Sequence, residues 1–239
     1  MKIYLEKTLP RAQQFEVEDS FWEHYLANVR RLNLGDQLSV VGREQRVTAE
    51  LVGFSPLQLK VIDRFEAEKP GYSLWLLQAL TRKKKIETSI RLGTELGITH
   101  FLPLISKHTV RRPNKPQKQV ERWRRIALDS TRITGRDWTP KIFPPVDFED
   151  FPGQLSGVER IYWGEASGGP LGSCFADSPE NVALVVGPEG DFSAGEKQFL
   201  STTGAVPVSL GPEILRSGTA AVALSNLWLH YTRERSANR

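Results

Sequence analysis

The sequence predicts an α/β chain in two parts: a small N-terminal β-barrel over residues 1–70 and a parallel α/β sheet over residues 71–239. Three observations carry that prediction. The first 70 residues break into short β-prone runs separated by glycine and proline turns. From Tyr72 the rhythm changes to strand, helix, strand, helix. The 239 residues are 39% hydrophobic and 25% charged, which suits a packed core and one large or two modest domains.

In the first part, strands are predicted at Leu38–Val41, Val47–Val52 and Gln58–Ile62, bounded by Gly35-Asp36, Gly42 and Gly53–Pro56. A helix is predicted from Ser20 to Leu32. Short strands at close spacing are the pattern of a small barrel of the kind that binds oligonucleotides. The run Glu66–Gly71, closed by Pro70-Gly71, predicts a linker.

In the second part, Ser73–Ala79 (SLWLLQA) is a nearly continuous apolar run, as expected of a strand covered on both faces. Lys83–Gly97 predicts a helix with Ile86, Ile90 and Leu96 near one side. Thr99–Ile105 predicts a strand and Gln117–Thr134 a long helix. Strands follow at Glu159–Trp163, Asn181–Val186 and Val206–Leu210, then an apolar helix from about Thr219 to Tyr231. That last helix carries Val222, Leu224, Leu227, Trp228 and Tyr231 beside Ala220, Ala221 and Ala223. This is more apolar surface than one stripe needs, so it is covered on more than one side, by its own sheet or by a second copy.

Composition excludes several classes. No apolar run approaches the roughly 18 residues of a membrane span, and the N-terminus lacks the pattern of a signal peptide. The single cysteine, Cys174, excludes an intrachain disulfide framework and a cysteine-rich zinc site. His24, His100, His108 and His230 share no metal-ligand spacing, so no metal site is predicted. The expectation is a soluble, cytoplasmic, metal-independent chain.

The net charge of +4 is unevenly spread. Residues 81–141 carry 16 basic and five acidic side chains, against 10 and 11 in residues 1–80 and six and 12 in residues 142–239. A basic block between acidic flanks points to a polyanion, most often nucleic acid, although a solvated lysine-rich helix face would show the same balance. The charges fall in clusters: Arg82 to Lys85, Arg111 with Arg112, and Arg122 with Arg124 and Arg125.

Ligands of open parallel sheets sit outside the carboxyl ends of strands. Two strands, read as adjacent, end there in glycine-bearing turns. One is Gly187-Pro188-Glu189-Gly190-Asp191-Phe192-Ser193; the other is Gly211-Pro212-Glu213-Ile214-Leu215-Arg216-Ser217. Neither matches the dinucleotide fingerprint or the P-loop, so bound phosphate is not the implied ligand. Asp191 reads as a helix cap; Glu189 reads either as a cap or as a site group.

Here the chain resembles a known family. GPEGDFSAGE followed by LGPEILRSGTAA resembles the paired C-terminal motifs of the SPOUT superfamily, and more narrowly of the RsmE family of 16S ribosomal RNA uridine-N3 methyltransferases. LLQALTRKKKIETSIRLGTELGITHFLPL, ERWRRIALDSTRITGRDWTPKI and NVRRLNLGDQLSVV resemble further stretches of that family, in order along the chain. The chain departs from the family in two places: Gly218 stands where a glutamate is usual, and Arg132-Ile133 where Glu-Gln is usual.

The resemblance implies a SPOUT-type parallel sheet with a deep trefoil knot and a PUA-like N-terminal barrel. It also implies S-adenosylmethionine (SAM) as cofactor and a homodimer. Carried over residue by residue, it implies that Gln78, Gly187, Pro188, Glu189, Gly190, Leu210, Gly211, Ile214, Leu215, Ser217 and Thr219 hold SAM, and that Arg216 is catalytic. Its guanidinium would stabilise the developing uridine anion; pairing with an acid such as Glu189 is the other reading. Arg30, Arg31, Arg82, Lys83, Lys84, Arg111, Arg112 and Arg136 are the candidates for holding 16S ribosomal RNA or the small subunit, largely through phosphates. No histidine lies in either motif, so the proton acceptor is left as water or a carboxylate. Two other functions fit the same residues: a non-catalytic RNA-binding or ribosome-assembly protein, and a SPOUT enzyme with another RNA target.

Overall fold

The computed structural model describes residues 1–5, 7–81, 83–109, 116–175, 177 and 179–237. The chain divides into two compact units: Met1–Lys69 with Thr131–Trp138, and Pro70–Ser130 with Thr139–Arg239.

The first unit is built on β1 (Lys2–Tyr4), β2 (Gln14–Val17), β3 (Gln37–Val41), β4 (Gln45–Phe54) and β5 (Leu57–Glu66), in the order β1-β3-β4-β5-β2. The pairs are antiparallel except β1 with β3. The β4–β5 ladder shifts register at Thr48/Ala49 and again at Leu51/Gly53. Such irregularities bend and twist a hairpin, so the sheet curls around Phe15, Val40, Val47, Ala49, Leu51 and Leu59. Helix α1 (Ser20–His24) starts at Asp19, whose carboxylate accepts the Phe21 N–H, and continues as a wider π turn to Val29. It stops short of the predicted Leu32 because Arg31 adopts a positive φ of 53°.

Residues 131–138 belong to this unit through buried charge. Asp137 is almost fully buried and accepts from Lys2 Nζ at 2.7 Å, with Arg46 at 3.4 Å. Tyr4 donates to the Arg136 carbonyl at 2.9 Å; burial first and then Asp137 push its phenol up to about 12. The Arg132 guanidinium lies over Trp22 at 4.8 Å and Phe21 at 5.5 Å. This segment takes in the end of the long predicted helix and the turn after it, and nothing in its local sequence announces these distant partners.

The second unit is a parallel sheet. Its elements are β6 (Ser73–Ala79), α2 (Lys83–Leu96), β7 (His100–Ile105), α3 (Pro116–Thr134, its end in the first unit), β8 (Lys141–Ile142), β9 (Val146–Asp147), β10 (Arg160–Pro170), α4 (Leu171–Phe175), β11 (Asn181–Val186), α5 (Ala194–Thr202), β12 (Val206–Ser209) and α6 (Ser217–Ala237). The order is β12-β10-β11-β6-β7-β8, with β9 also on β7. Every pairing is parallel.

The alternation within β6 and β11 shows why their runs are unbroken. Leu74, Leu76, Val182, Leu184 and Val186 pack with Ile86, Ile90, Trp123, Leu224 and Trp228 on one face. Trp75, Leu77, Ala183 and Val185 pack with Phe148, Phe151, Phe192 and Leu200 on the other. Both faces are dry, so every second position must be apolar on each side. His100 stacks on Trp75 at 4.1 Å; burial, then Lys141, lowers its pKa to about 4, so it is neutral at pH 7.

Candidate functional site

The loop Gly187–Ser193 joins β11 to α5, and the loop Leu210–Arg216 joins β12 to α6. Their strands are not adjacent, contrary to the sequence reading, because β10 lies between them. β10 is longer than the predicted Glu159–Trp163, and its register with β12 shifts between Gly164 and Gly169. There the strand passes against β12 so closely that a Cβ on Gly168 would sit 2.6 Å from the Val208 nitrogen. Only glycine fits.

These three segments wall a cavity of about 530 Å³, within the usual range for small-molecule sites. The structure brings ten of the predicted positions to it: Gly187, Pro188, Glu189, Gly190, Leu210, Gly211, Ile214, Leu215, Arg216 and Ser217. Gln78 and Thr219 are not on its wall. Gln78 is fully buried and donates from Nε2 to Ser217 Oγ at 3.0 Å, so it braces the first residue of α6 from behind. Sequence reasoning missed Gly164, Glu165 and Ala166, which the β10 irregularity delivers, and also Val186, Asp191, Val208, Glu213 and Ala220.

The first loop is tightly held. Ser193, not Asp191, caps α5, in a capping box with Glu196. Buried Glu196 accepts the Ser193 N–H and Oγ–H, each at 2.8 Å, and the Lys107 N–H at 2.7 Å. Asp191 has a positive φ of 61° and pairs with Lys197 at 2.6 Å. Lys197 also reaches Glu165 at 2.5 Å. The hydrogen bond to Asp191, then that to Glu165, raises the Lys197 pKa, so the ammonium is held charged. Glu189 pairs with Lys85 at 2.6 Å. His108, from the loop after β7, approaches from the side: its Nδ1 lies 2.9 Å from the Asp191 carbonyl.

The second loop is open. Gly211 has a φ of 123°, a conformation that side chains resist. Ile214 is 96% exposed and Leu215 37%. Arg216 is exposed on the cavity wall, and among the described residues nothing hydrogen-bonds to or pairs with its guanidinium. Pairing with Glu189 is not what the structure shows. Gly218 follows in the first turn of α6, where a Cβ would meet Ser89 Oγ at an ordinary 3.5 Å.

The basic candidates are distributed over both units. Arg30 and Arg31 are exposed at the end of the π turn. Arg136 is half-buried, with its guanidinium over Trp138 at 5.4 Å. Lys83 and Lys84 open α2. Arg82, Arg111 and Arg112 lie outside the described residues.

Comparison with known proteins converges on one class. A model of the RNA methyltransferase domain matches residues 67–229. A Ribosomal RNA small subunit methyltransferase E from a Synechocystis species is 32% identical over 213 residues, covering 85% of this chain and 69% of the relative. One from Mycobacterium bovis is 31% identical over 240 residues, covering 92% and 88%. Among solved structures, a Legionella pneumophila protein in complex with the bound cofactor SAM has a TM-score of 0.80 at 26% identity, covering 95% of this chain and 96% of that one. A Neisseria gonorrhoeae Ribosomal RNA small subunit methyltransferase E bound to S-adenosyl methionine has the same fold, with a TM-score of 0.81 at 20% identity over 99% and 97%.

Proposed function

Because the chain belongs to the ribosomal RNA small subunit methyltransferase E family, we propose that it uses S-adenosylmethionine to methylate N3 of a uridine in 16S ribosomal RNA. The observation that carries this reading is the cavity itself: two motif loops close on one small-molecule space, with an arginine on its wall that is unpaired among the described residues.

The cavity's residues suit the cofactor. Val186, Val208, Leu210, Leu215 and Ala220 give an apolar bed for a flat base, and Gly187, Gly190 and Gly211 allow close backbone approach. Glu165, Glu189, Asp191 and Glu213 put negative charge around a cation. Bound there, the cofactor supplies an electrophilic methyl group on a sulfonium. Uridine N3 becomes nucleophilic as its imide proton leaves, so the chain's tasks are to position the base and to stabilise the anion that develops. Arg216 does the second, its planar fork of donors aimed at a carbonyl oxygen of the base. Gln78 and Ser217 fix the helix start that carries it.

The finer architecture follows the same reading. The curled first unit serves as a PUA-like RNA-binding barrel over residues 1–70. The rest is the SPOUT methyltransferase domain, threaded as a deep trefoil knot: α6 returns after edge strand β12 to pack on α2, β6 and β11. Exposed Ile214 and Leu215 on the cavity loop support a homodimer that covers them. Arg30, Arg31, Arg82, Lys83, Lys84, Arg111, Arg112 and Arg136 hold phosphates, so RNA affinity falls steeply with salt.

The test is mass spectrometry of 16S ribosomal RNA after incubating small subunits with the purified chain and SAM. One new N3-methyluridine is the expected product. SAM binding without any methylated uridine overturns the reading, and a methyl group on another atom redirects it. Sedimentation as a 27.0 kDa monomer at micromolar concentration overturns the dimer.

A further inference from the structure

We propose that the Glu213 carboxylate takes the N3 proton of the target uridine, and that together with Arg216 it reads the edge of the base. The inference rests on the uridine-N3 reading above and adds to it the proton acceptor.

The first support is position. Glu213 and Arg216 stand three residues apart on the loop between β12 and α6, and both line the cavity. The Glu213 side chain folds back along its own loop: Oε2 lies 3.6 Å from the place a Cβ would take on Gly211, itself a wall residue. The carboxylate therefore lies at the cavity, on the same loop as the guanidinium. Both residues are exposed, so a substrate base and solvent can reach them.

The second support is availability. Among the described residues, the charged groups on the wall are Glu165 on β10, Glu189 and Asp191 on the first motif loop, and Glu213 with Arg216 on the second. Glu165 and Asp191 are bonded to Lys197 from α5, and Glu189 to Lys85 from α2. Taking a proton would cost each of these three an existing ion pair. Glu213 has no hydrogen bond or ion pair among the described residues, so it accepts a proton without giving one up.

The third support is the match to the base. An ionised carboxylate only accepts hydrogen bonds and a guanidinium only donates them. The uracil edge presents N3–H beside carbonyl oxygens, so the carboxylate meets the proton while the guanidinium meets an oxygen on which the negative charge develops. Cytosine has a bare lone pair at its ring N3, which a carboxylate repels. The pair that moves the proton thus also selects the base.

The step balances. The N3–H proton passes to a carboxylate oxygen of Glu213, giving the carboxylic acid. The electron pair left on N3 forms the bond to the methyl carbon, and the methyl's bond to sulfur breaks with its pair staying on sulfur as a neutral thioether. The carboxylic acid then releases its proton to solvent.

The experiment compares the full-length chain with Glu213→Gln and Glu213→Ala. Both variants should keep the parent's denaturant midpoint. Without SAM or turnover, the parent should bind an oligonucleotide carrying one uridine about tenfold tighter than the same oligonucleotide with cytidine in its place, and Glu213→Ala should lose that preference. With saturating SAM, single-turnover methylation by Glu213→Gln should fall about 10²–10⁴-fold at neutral pH. That deficit should shrink at alkaline pH, where the imide ionises unaided, and on RNA carrying 5-fluorouridine, whose imide is more acidic. A lesion of structure alone would respond to neither. Parent-rate methylation by Glu213→Gln, a deficit that neither alkali nor 5-fluorouridine reduces, or a base preference unchanged in Glu213→Ala overturns the proposal while the N3 reading stands. A parent chain that makes no N3-methyluridine overturns both.

Discussion

In the Gly187–Ser193 loop both carboxylates have an ammonium partner, and a histidine clamps the backbone at Asp191. In the Leu210–Arg216 loop, Glu213 and Arg216 have none among the described residues, and Ile214 stands almost fully in solvent. Both loops line the same cavity. The first is set before a ligand arrives, so it can offer fixed dipoles without reorganising. The second keeps its charge and apolar surface unspent until substrate or a second copy of the chain meets them. A site that binds a cofactor and then an RNA base needs one wall of each kind.

The contrast can be broken first at its most exposed charge. Arg216→Ala should lower the single-turnover rate by about 10²–10³ with SAM affinity kept, as expected for one preorganised donor aimed at developing charge. Arg216→Lys should recover little, because a compact ammonium lacks the planar fork. An alanine variant at the parent rate would remove Arg216 from the chemistry. On the held loop the corresponding lesion is one of stability. Glu196→Ala removes the capping box and leaves the Lys107 and Ser193 N–H groups without their acceptor, a loss of about 2–3 kcal/mol in a denaturant titration.

Gly211→Ala should cost about 1–2 kcal/mol by the same measurement, because its φ of 123° disfavours any side chain although the nearest atom leaves ordinary room. The smallest effect is expected at the pair tying Glu189 to α2. Both its side chains are well exposed, so Lys85→Ala should cost less than about 1 kcal/mol and less still at high salt. A large, salt-independent loss would show that the first loop depends on that pair.

The sheet was legible because its central strands need apolar residues on both faces, as the run Leu74–Leu77 provides; so was α2, whose Ile86 and Ile90 mark one face. Strands β8 and β9, of two residues each, carry too few positions to show a period. A helix after Asp191 was expected, but its cap was misplaced: Ser193 and Glu196, which stand at capping-box spacing, start α5 two residues later. The motif side of the cavity was readable from glycine after strand. The β10 side was not, because a register shift is a relation between strands, and Gly164-Glu165-Ala166 resembles any short loop. His108 and Gly190 are joined only by the fold. Nothing local marks Asp137 as buried, because its partners Lys2 and Arg46 lie far off in sequence.

The placement of β10 between β11 and β12 makes the site a caliper. Neighbouring strands stand roughly 4.8 Å apart, so the roots of the two jaws are set roughly 10 Å apart by backbone hydrogen bonds alone. Side-chain substitution in either jaw changes the grip and the polarity of what is held, but leaves the gauge as it was. Only a change in strand order or in the β10 irregularity could reset it. Selection for a different guest would therefore act on the tips, while the thickness the instrument accepts stays constant.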